Sequence, residues 1–228
     1  MAHITYTNGS YDGDVNASGD PHGHGVMCLA NGARYEGEFC NGSLHGHGVY
    51  SFANGMRYEG EFLGGAMHGR GILYFPDGGR YVGAFEGGAI SGYGVMYFAD
   101  GDRYEGEFRA NDRNGYGIMT EVSGASYAGE WQDGERSGHG KMTFASGDVY
   151  EGEWRDGDLC GYGVMTYANG EAYRGEWRDG RRHGHGTMTY EGGDCYVGEW
   201  ESGRRHGHGL LTKANGERFE GEFCDPLF

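Results

Sequence analysis

Tyr150-Glu151-Gly152-Glu153-Trp154-Arg155-Asp156-Gly157-Asp158-Leu159-Cys160-Gly161-Tyr162-Gly163-Val164-Met165-Thr166-Tyr167-Ala168-Asn169-Gly170 holds two alternating stretches separated by a glycine-containing turn. In the first, Tyr150, Gly152 and Trp154 share a face while Glu151 and Glu153 point the other way. In the second, Gly161, Gly163, Met165 and Tyr167 share a face, opposed by Tyr162, Val164 and Thr166. The stretch therefore reads as a β-hairpin with one face built of aromatic rings and glycines. Without a Cβ, Gly152, Gly161 and Gly163 let a ring, from Trp154 or from a neighbouring unit, lie directly on the backbone.

Outward from this stretch the same pattern returns at a fixed interval. Tyr35, Tyr58, Tyr81, Tyr104, Tyr127, Tyr150, Tyr173, Tyr196 and Phe219 follow one another every 23 residues, and a less regular copy begins at Tyr11, 24 residues before Tyr35. The extra residue in that copy must be absorbed in a turn. Units this short cannot bury a core alone, so the period predicts a solenoid in which each hairpin packs on its neighbours. The predicted fold class is all-β, an elongated single-layer solenoid of stacked antiparallel β-hairpins. Two strands per repeat at about 4.8 Å advance the stack by about 9.6 Å, so nine to ten units extend roughly 90 Å. Asn31-Gly32, Asn54-Gly55, Asp77-Gly78, Asp100-Gly101, Asn169-Gly170 and Asn215-Gly216 mark turns with residues at positive φ just before the next anchor. The core row is expected to contain Tyr35, Gly37, Phe39, Tyr58, Gly60, Phe62, Tyr104, Gly106, Phe108, Tyr127, Trp131, Tyr150, Trp154, Tyr173, Trp177, Tyr196, Trp200, Phe219 and Phe223. Its second ring is Phe up to Phe108 and Trp from Trp131 to Trp200, so the two halves are expected to pack differently.

Glycine makes up 50 of 228 residues, about three times its usual share, and follows the repeat instead of a collagen period. Only three prolines and 14% aromatics argue against disorder. No apolar run approaches about 18 residues and no cleavable leader is visible, so neither a membrane span nor secretion is indicated. Thirty-four acidic residues against eighteen basic ones give a formal charge of -16, which disfavours nucleic acid and weakens any phospholipid contact. Cys28, Cys40, Cys160, Cys195 and Cys224 are odd in number and irregular in spacing, as expected of reduced thiols.

The pattern Y-x-G-x-(F/W)-x-x-G-x-x-x-G-x-G, complete at Tyr35, Gly37, Phe39, Gly42, Gly46 and Gly48 and again at Tyr173, Gly175, Trp177, Gly180, Gly184 and Gly186, resembles the MORN repeat from Tyr11 to Phe223. Departures are Asn111 in place of glycine, Glu121 at an apolar or aromatic position, and the shifted first copy around Val15 and Gly19. The resemblance implies a single MORN-repeat domain over 1–228, with an atypical first repeat at 11–34, regular repeats over 35–218 and a partial repeat at 219–228. MORN modules occur beside lipid kinase and methyltransferase domains, in junctional membrane proteins, and as repeat-only scaffolds. This chain looks like the repeat-only kind, similar to protozoan MORN proteins that form homodimers and organise cytoskeletal rings. The resemblance thus implies a structural scaffold of the cytoplasm and cytoskeleton, acting as an elongated homodimer with cytoskeletal or scaffold partners. The alternative it leaves open is a phosphoinositide- or membrane-associating module, peripheral to a membrane.

Candidate sites are sparse. His22 and His24, His45 and His47, His183 and His185, and His206 and His208 form His-Gly-His steps at equivalent positions. These read either as a solvated strand face, the stronger reading, or as zinc ligands. Equivalent residues about 9.6 Å apart cannot share one metal within a chain, so a zinc ion, not required for folding, would be held between two chains by Cys195, His206, His208 and Cys224. Pro226, Leu227 and Phe228 leave the repeat pattern and would either cap the last hairpin or insert into a partner at a dimer interface. No nucleophile elbow, zinc-protease motif or phosphate loop is present, so no enzyme is expected. Glu36, Glu38, Glu59, Glu61, Glu105 and Glu107 are carboxylates paired at i and i+2 at equivalent places in their copies and read as a solvated face.

Overall fold

The computed structural model describes residues 1–225. Among the described residues all regular structure is β, as twenty strands, and the chain forms two compact units, residues 1–113 and 114–228, with β11 beginning two residues before the second. The first unit contains β1 (Ala2–Tyr6), β2 (Gly9–Val15), β3 (Pro21–Leu29), β4 (Arg34–Cys40), β5 (Ser43–Ser51), β6 (Arg57–Leu63), β7 (Ala66–Tyr74), β8 (Arg80–Glu86), β9 (Ala89–Tyr97) and β10 (Arg103–Arg109). The second is built from β11 (Asp112–Thr120), β12 (Ser126–Gln132), β13 (Glu135–Thr143), β14 (Val149–Arg155), β15 (Asp158–Thr166), β16 (Ala172–Arg178), β17 (Arg181–Thr189), β18 (Cys195–Glu201), β19 (Arg204–Thr212) and β20 (Arg218–Cys224). Within each unit every strand pairs antiparallel with the next in sequence, giving a meander with no crossover. Each MORN-like unit contributes a seven-residue strand, a tight turn and a nine-residue strand.

Two kinds of turn alternate. The tight one, at Asp156-Gly157, places both central residues at positive φ, 49° and 83°, which matches the twist of the strands it joins. At Ala110-Asn111 neither residue is glycine, yet the same turn forms with φ of 49° and 78°. There the Asn111 side chain compensates by accepting a hydrogen bond from the Ile90 amide at 2.9 Å. The other turn carries the Asn-Gly and Asp-Gly pairs. Gly32 sits at φ 89°, its amide donates to Leu29 O at 2.9 Å, and Asn31 Oδ1 receives the Ala33 amide. Glu121 keeps this turn despite departing from the pattern, since its amide donates to Ala125 O and its O accepts from Gly124. The extra residue of the first copy lies in Asn16–Asp20, where Asn16 Oδ1 caps the amides of Ser18 and Asp20.

The core is a zigzag of rings. In the first unit Tyr35 meets Phe39 edge-on at 5.1 Å and Phe62 of the next copy at 5.0 Å. In the second, Tyr150 meets Trp154 at 5.3 Å and Trp177 at 5.4 Å. Tyr11, Tyr35, Tyr58, Tyr81, Tyr104, Tyr150, Tyr173 and Tyr196 are fully buried. Each edge-on pair contributes about 0.5–1.5 kcal/mol beyond the area it buries, and each ring serves two copies, so the stack holds only while neighbours are folded. The tryptophans add what phenylalanine cannot: Trp154 Nε1 donates to Gly140 O at 3.2 Å and Trp200 Nε1 to Gly186 O at 3.2 Å, tying each copy to the one before. The anchor and second rings from Tyr35 to Trp200 are buried. Phe219 is 52% exposed, because among the described residues no following copy covers it.

Candidate interaction surface

Each unit has an inner face of rings and glycines and an opposite face that carries the variable side chains. On the inner face Gly152 and Gly163 are cross-strand partners, and the Tyr150 ring lies over both. A Cβ on Gly152 would stand 2.5 Å from Tyr150 Oη and 2.6 Å from Gly163 Cα. The ring that rests on the glycines is thus the anchor tyrosine, not the tryptophan. Its hydroxyl donates to Glu153 O at 3.0 Å, so the buried phenol is satisfied.

Gly161 does not join that face. The ladder between β14 and β15 shifts register after Gly152, which pairs with Gly163, while Glu153 pairs with Cys160. Gly161 and Tyr162 form a bulge, with Gly161 at φ 55°, and Glu153 Oε1 accepts the Tyr162 amide at 2.9 Å. The device recurs at Glu38 with His47, Glu61 with Arg70, Glu130 with His139, Glu176 with His185 and Glu199 with His208. In each of these copies the carboxylate occupies the space of the absent Cβ of the bulge glycine. Glu38 and Glu61, expected to be merely solvated, are therefore structural. The signal was present in the sequence as a glutamate nine residues before the amide it receives. Replacing Glu153 with Ala should cost about 1 kcal/mol, the usual net value of such a bond. A urea midpoint identical to that of the parent chain would remove this role.

The other recurring carboxylates pair with arginine two residues earlier, Arg34 with Glu36 at 2.6 Å and Arg57 with Glu59 at 3.0 Å. Arg103 reaches Glu105 at 2.5 Å, and Tyr93 Oη donates to the same carboxylate at 2.8 Å. On the basic side, Arg136 and Arg182 lie over Trp154 and Trp200 at 4.7 and 4.4 Å. The five cysteines are free thiols.

The four candidate metal ligands do not gather within one chain. His206 and Cys224 are cross-strand partners, but Cys195 pairs with Thr212, six residues further along β19. His208 Nε2 instead faces Glu222 at 3.2 Å. Among the described residues no group of three or more His, Cys, Asp or Glu is arranged to hold a metal ion. Pro226, Leu227 and Phe228, the expected dimer contacts, lie outside the described residues.

The family model of the MORN repeat matches residues 17–34, 35–57, 58–80, 81–103, 104–125, 127–149, 150–172, 173–195 and 196–218. The chain belongs to the MORN-repeat family. MORN repeats make it a repeat scaffold or binding module, and the hairpins with their ring-on-glycine stacking are the structural content of that assignment. No curated protein matches this MORN-repeat chain. Among solved structures it is similar to the wild-type TCP10 domain of Danio rerio CPAP in complex with a peptide of Danio rerio STIL. That match has 12% identity and a TM-score of 0.49, over 93% of this chain and 99% of that one. Virginiamycin B lyase from Staphylococcus aureus, as the selenomethionine-substituted protein, matches at 13% identity and a TM-score of 0.16, over 95% and 74%.

Proposed function

We infer that this MORN-repeat chain is a structural scaffold and protein-interaction module of the cytoskeleton that acts as a homodimer. The observation that supports it is the last strand. Among the described residues β20 pairs with β19 alone, Phe219 is half exposed, and a Cβ on Gly221 would meet nothing within 4 Å. At the equivalent Gly198 a Cβ would meet Gly209 Cα at 2.6 Å, because the next strand is already there. Among the described residues β20 therefore presents an edge and an uncovered ring of the kind that the other copies bury, which a strand of a second copy can match.

Light scattering should give twice the 24.8 kDa of one chain, falling to a single chain in Phe219→Glu. A single-chain mass at all concentrations would sink the homodimer. Repeating the measurement with a strong chelator tests whether a zinc ion held between His206 and Cys224 of the two copies contributes. Retention of the chain in the detergent-insoluble fraction of cells tests the cytoskeletal part.

A second reading, a phosphoinositide-associating module that joins a membrane to protein partners, is favoured by Arg178, Arg181, Arg182, Arg204 and Arg205, which outnumber Asp179 and Glu201 around the β16–β17 and β18–β19 turns. Sedimentation with vesicles containing phosphatidylinositol bisphosphate distinguishes it.

A further inference from the structure

The copy that begins at Tyr81 breaks the carboxylate pattern twice, with Val82 and Ala84 where Glu36 and Glu38, or Glu59 and Glu61, stand in earlier copies. Both changes leave an arginine without its partner. Arg70 pairs across the ladder with Ala84, where His24 and His47 face Glu38 and Glu61. Arg80 has Val82 two residues on, where Arg34, Arg57 and Arg103 have glutamate, and it stacks on Tyr97 at 4.1 Å instead. Among the described residues neither guanidinium has a carboxylate within ion-pair distance. Glu61 is the nearest by connectivity, but its carboxylate takes the Arg70 amide.

Between the two arginines lies an aliphatic row. Ile72, Val82 and Val95 are opposite one another across β7, β8 and β9. With Arg70, Ala84 and Tyr93 they line an open groove of about 590 Å³, in which Val82 is 38% and Tyr93 60% exposed. The same face of the second unit has a groove of about 510 Å³ lined by Ala128, Lys141 and Val164, but Glu151 and Glu153 line it as well, and their carboxylates would repel an acidic segment.

We propose that this groove binds an extended peptide segment of a partner protein with an aliphatic residue flanked at two positions on each side by acidic residues. Along β8, Arg80 lies four residues from Ala84, the partner of Arg70, so the two cations are separated by about 13 Å along the strand direction. The first and fifth residues of an extended peptide are separated by the same distance, with the third over Val82. Elsewhere on this face Glu36, Glu59 and Glu105 would repel such a segment, which fixes its register by charge. The proposal rests on the protein-interaction reading and supplies the chemistry of one partner.

The test is fluorescence polarisation of the full chain with a labelled peptide of core ETLTE, against QTLTQ as the neutral control. The double variant Val82→Glu with Ala84→Glu restores the glutamates that other copies carry, so it should fold as the parent does, which a melting curve checks. Saturable ETLTE binding is expected, weakened about tenfold or more in QTLTQ, in the double variant and in Arg70→Gln with Arg80→Gln. Equal binding of both peptides, or undiminished binding by the double variant, overturns the site. So does an absence of ETLTE binding, including the case in which phosphatidylinositol bisphosphate vesicles retain the chain through Arg70 and Arg80. A dimer mass in the same samples keeps a failure of the groove separate from a failure of the scaffold reading.

Discussion

Gly152→Ala should destabilise the chain by about 3 kcal/mol or more, whereas Gly192→Ala should change stability by less than about 0.5 kcal/mol. Both replace glycine with one methyl group, and only their surroundings differ. At Gly152 the new carbon would overlap Gly163 Cα, which belongs to the backbone of the next strand and cannot rotate away. It would also overlap Tyr150 Oη, on a ring wedged between Trp154 and Trp177 and held by its hydrogen bond to Glu153 O. Moving the strand breaks the ladder, and moving the ring opens two interfaces at once. At Gly192 no atom lies within 4 Å of the added carbon. Urea denaturation compares the two directly, and equal midpoints would sink the ring-on-glycine account of the stack. Gly221→Ala extends the argument to the motif itself. Gly221 occupies the same repeat position as Gly152, yet in a single chain its Cβ would meet nothing, so the substitution should be silent in a monomer. In a dimer that adds a strand to β20 it should weaken association.

The 23-residue period and the aromatic anchors were enough to place the strands, the turns and the ring row, because stacking demands the same residue at the same place in every copy. Reading by strict alternation failed at one point. It put Gly161 on the inner face with Gly163, whereas Gly161 stands in a bulge that offsets the ladder. Period-two reasoning assumes an unbroken ladder, so a bulge that recurs in each copy stays hidden unless the recurrent glutamate is asked what it caps. Phe219 was misplaced for a different reason: motif position predicts burial only when a following copy supplies the cover. The groove at Val82 and Ala84 was visible in the sequence solely as two missing glutamates, and their meaning depends on which arginines the register sets opposite them.

The inner and outer faces divide the work of the molecule. Residues that stack are repeated nearly unchanged, since a departure there disturbs two neighbours. Residues on the outer face stand outside the ring stack, so Val82 and Tyr93 can differ from their counterparts without disturbing it, and Ala84 forfeits only the bulge cap that Glu38 and Glu61 supply. Specific recognition by a regular array has to come from such local differences, because a partner that read only the repeated features could not choose among the copies.

Alkaline titration should unfold the chain between pH 10 and about 12, as a transition in circular dichroism that coincides with the rise of tyrosinate absorbance. Burial pushes Tyr35, Tyr58, Tyr81 and Tyr104 from 10.0 up to about 12. For Tyr35 and Tyr58 the neighbouring carboxylates Glu38 and Glu61 add to the effect of burial. Tyr150 and Tyr173 are raised in the same direction, again chiefly by burial. The neutral phenol is the form the fold accommodates. Below pH 10 folded and unfolded chains both keep these protons, and the stabilisation is fully present. Above pH 10 the unfolded chain releases them while the folded chain does not, so the unfolded state binds fewer protons and stability falls as pH rises. That contribution is lost by about pH 12, when the folded rings ionise as well. Because each ring is wedged between two copies, one phenolate loosens two interfaces, and several tyrosines titrating over the same range make the loss steep. Intact circular dichroism at a pH where absorbance shows every tyrosine ionised would mean that water reaches the row, and the buried ring stack would be wrong.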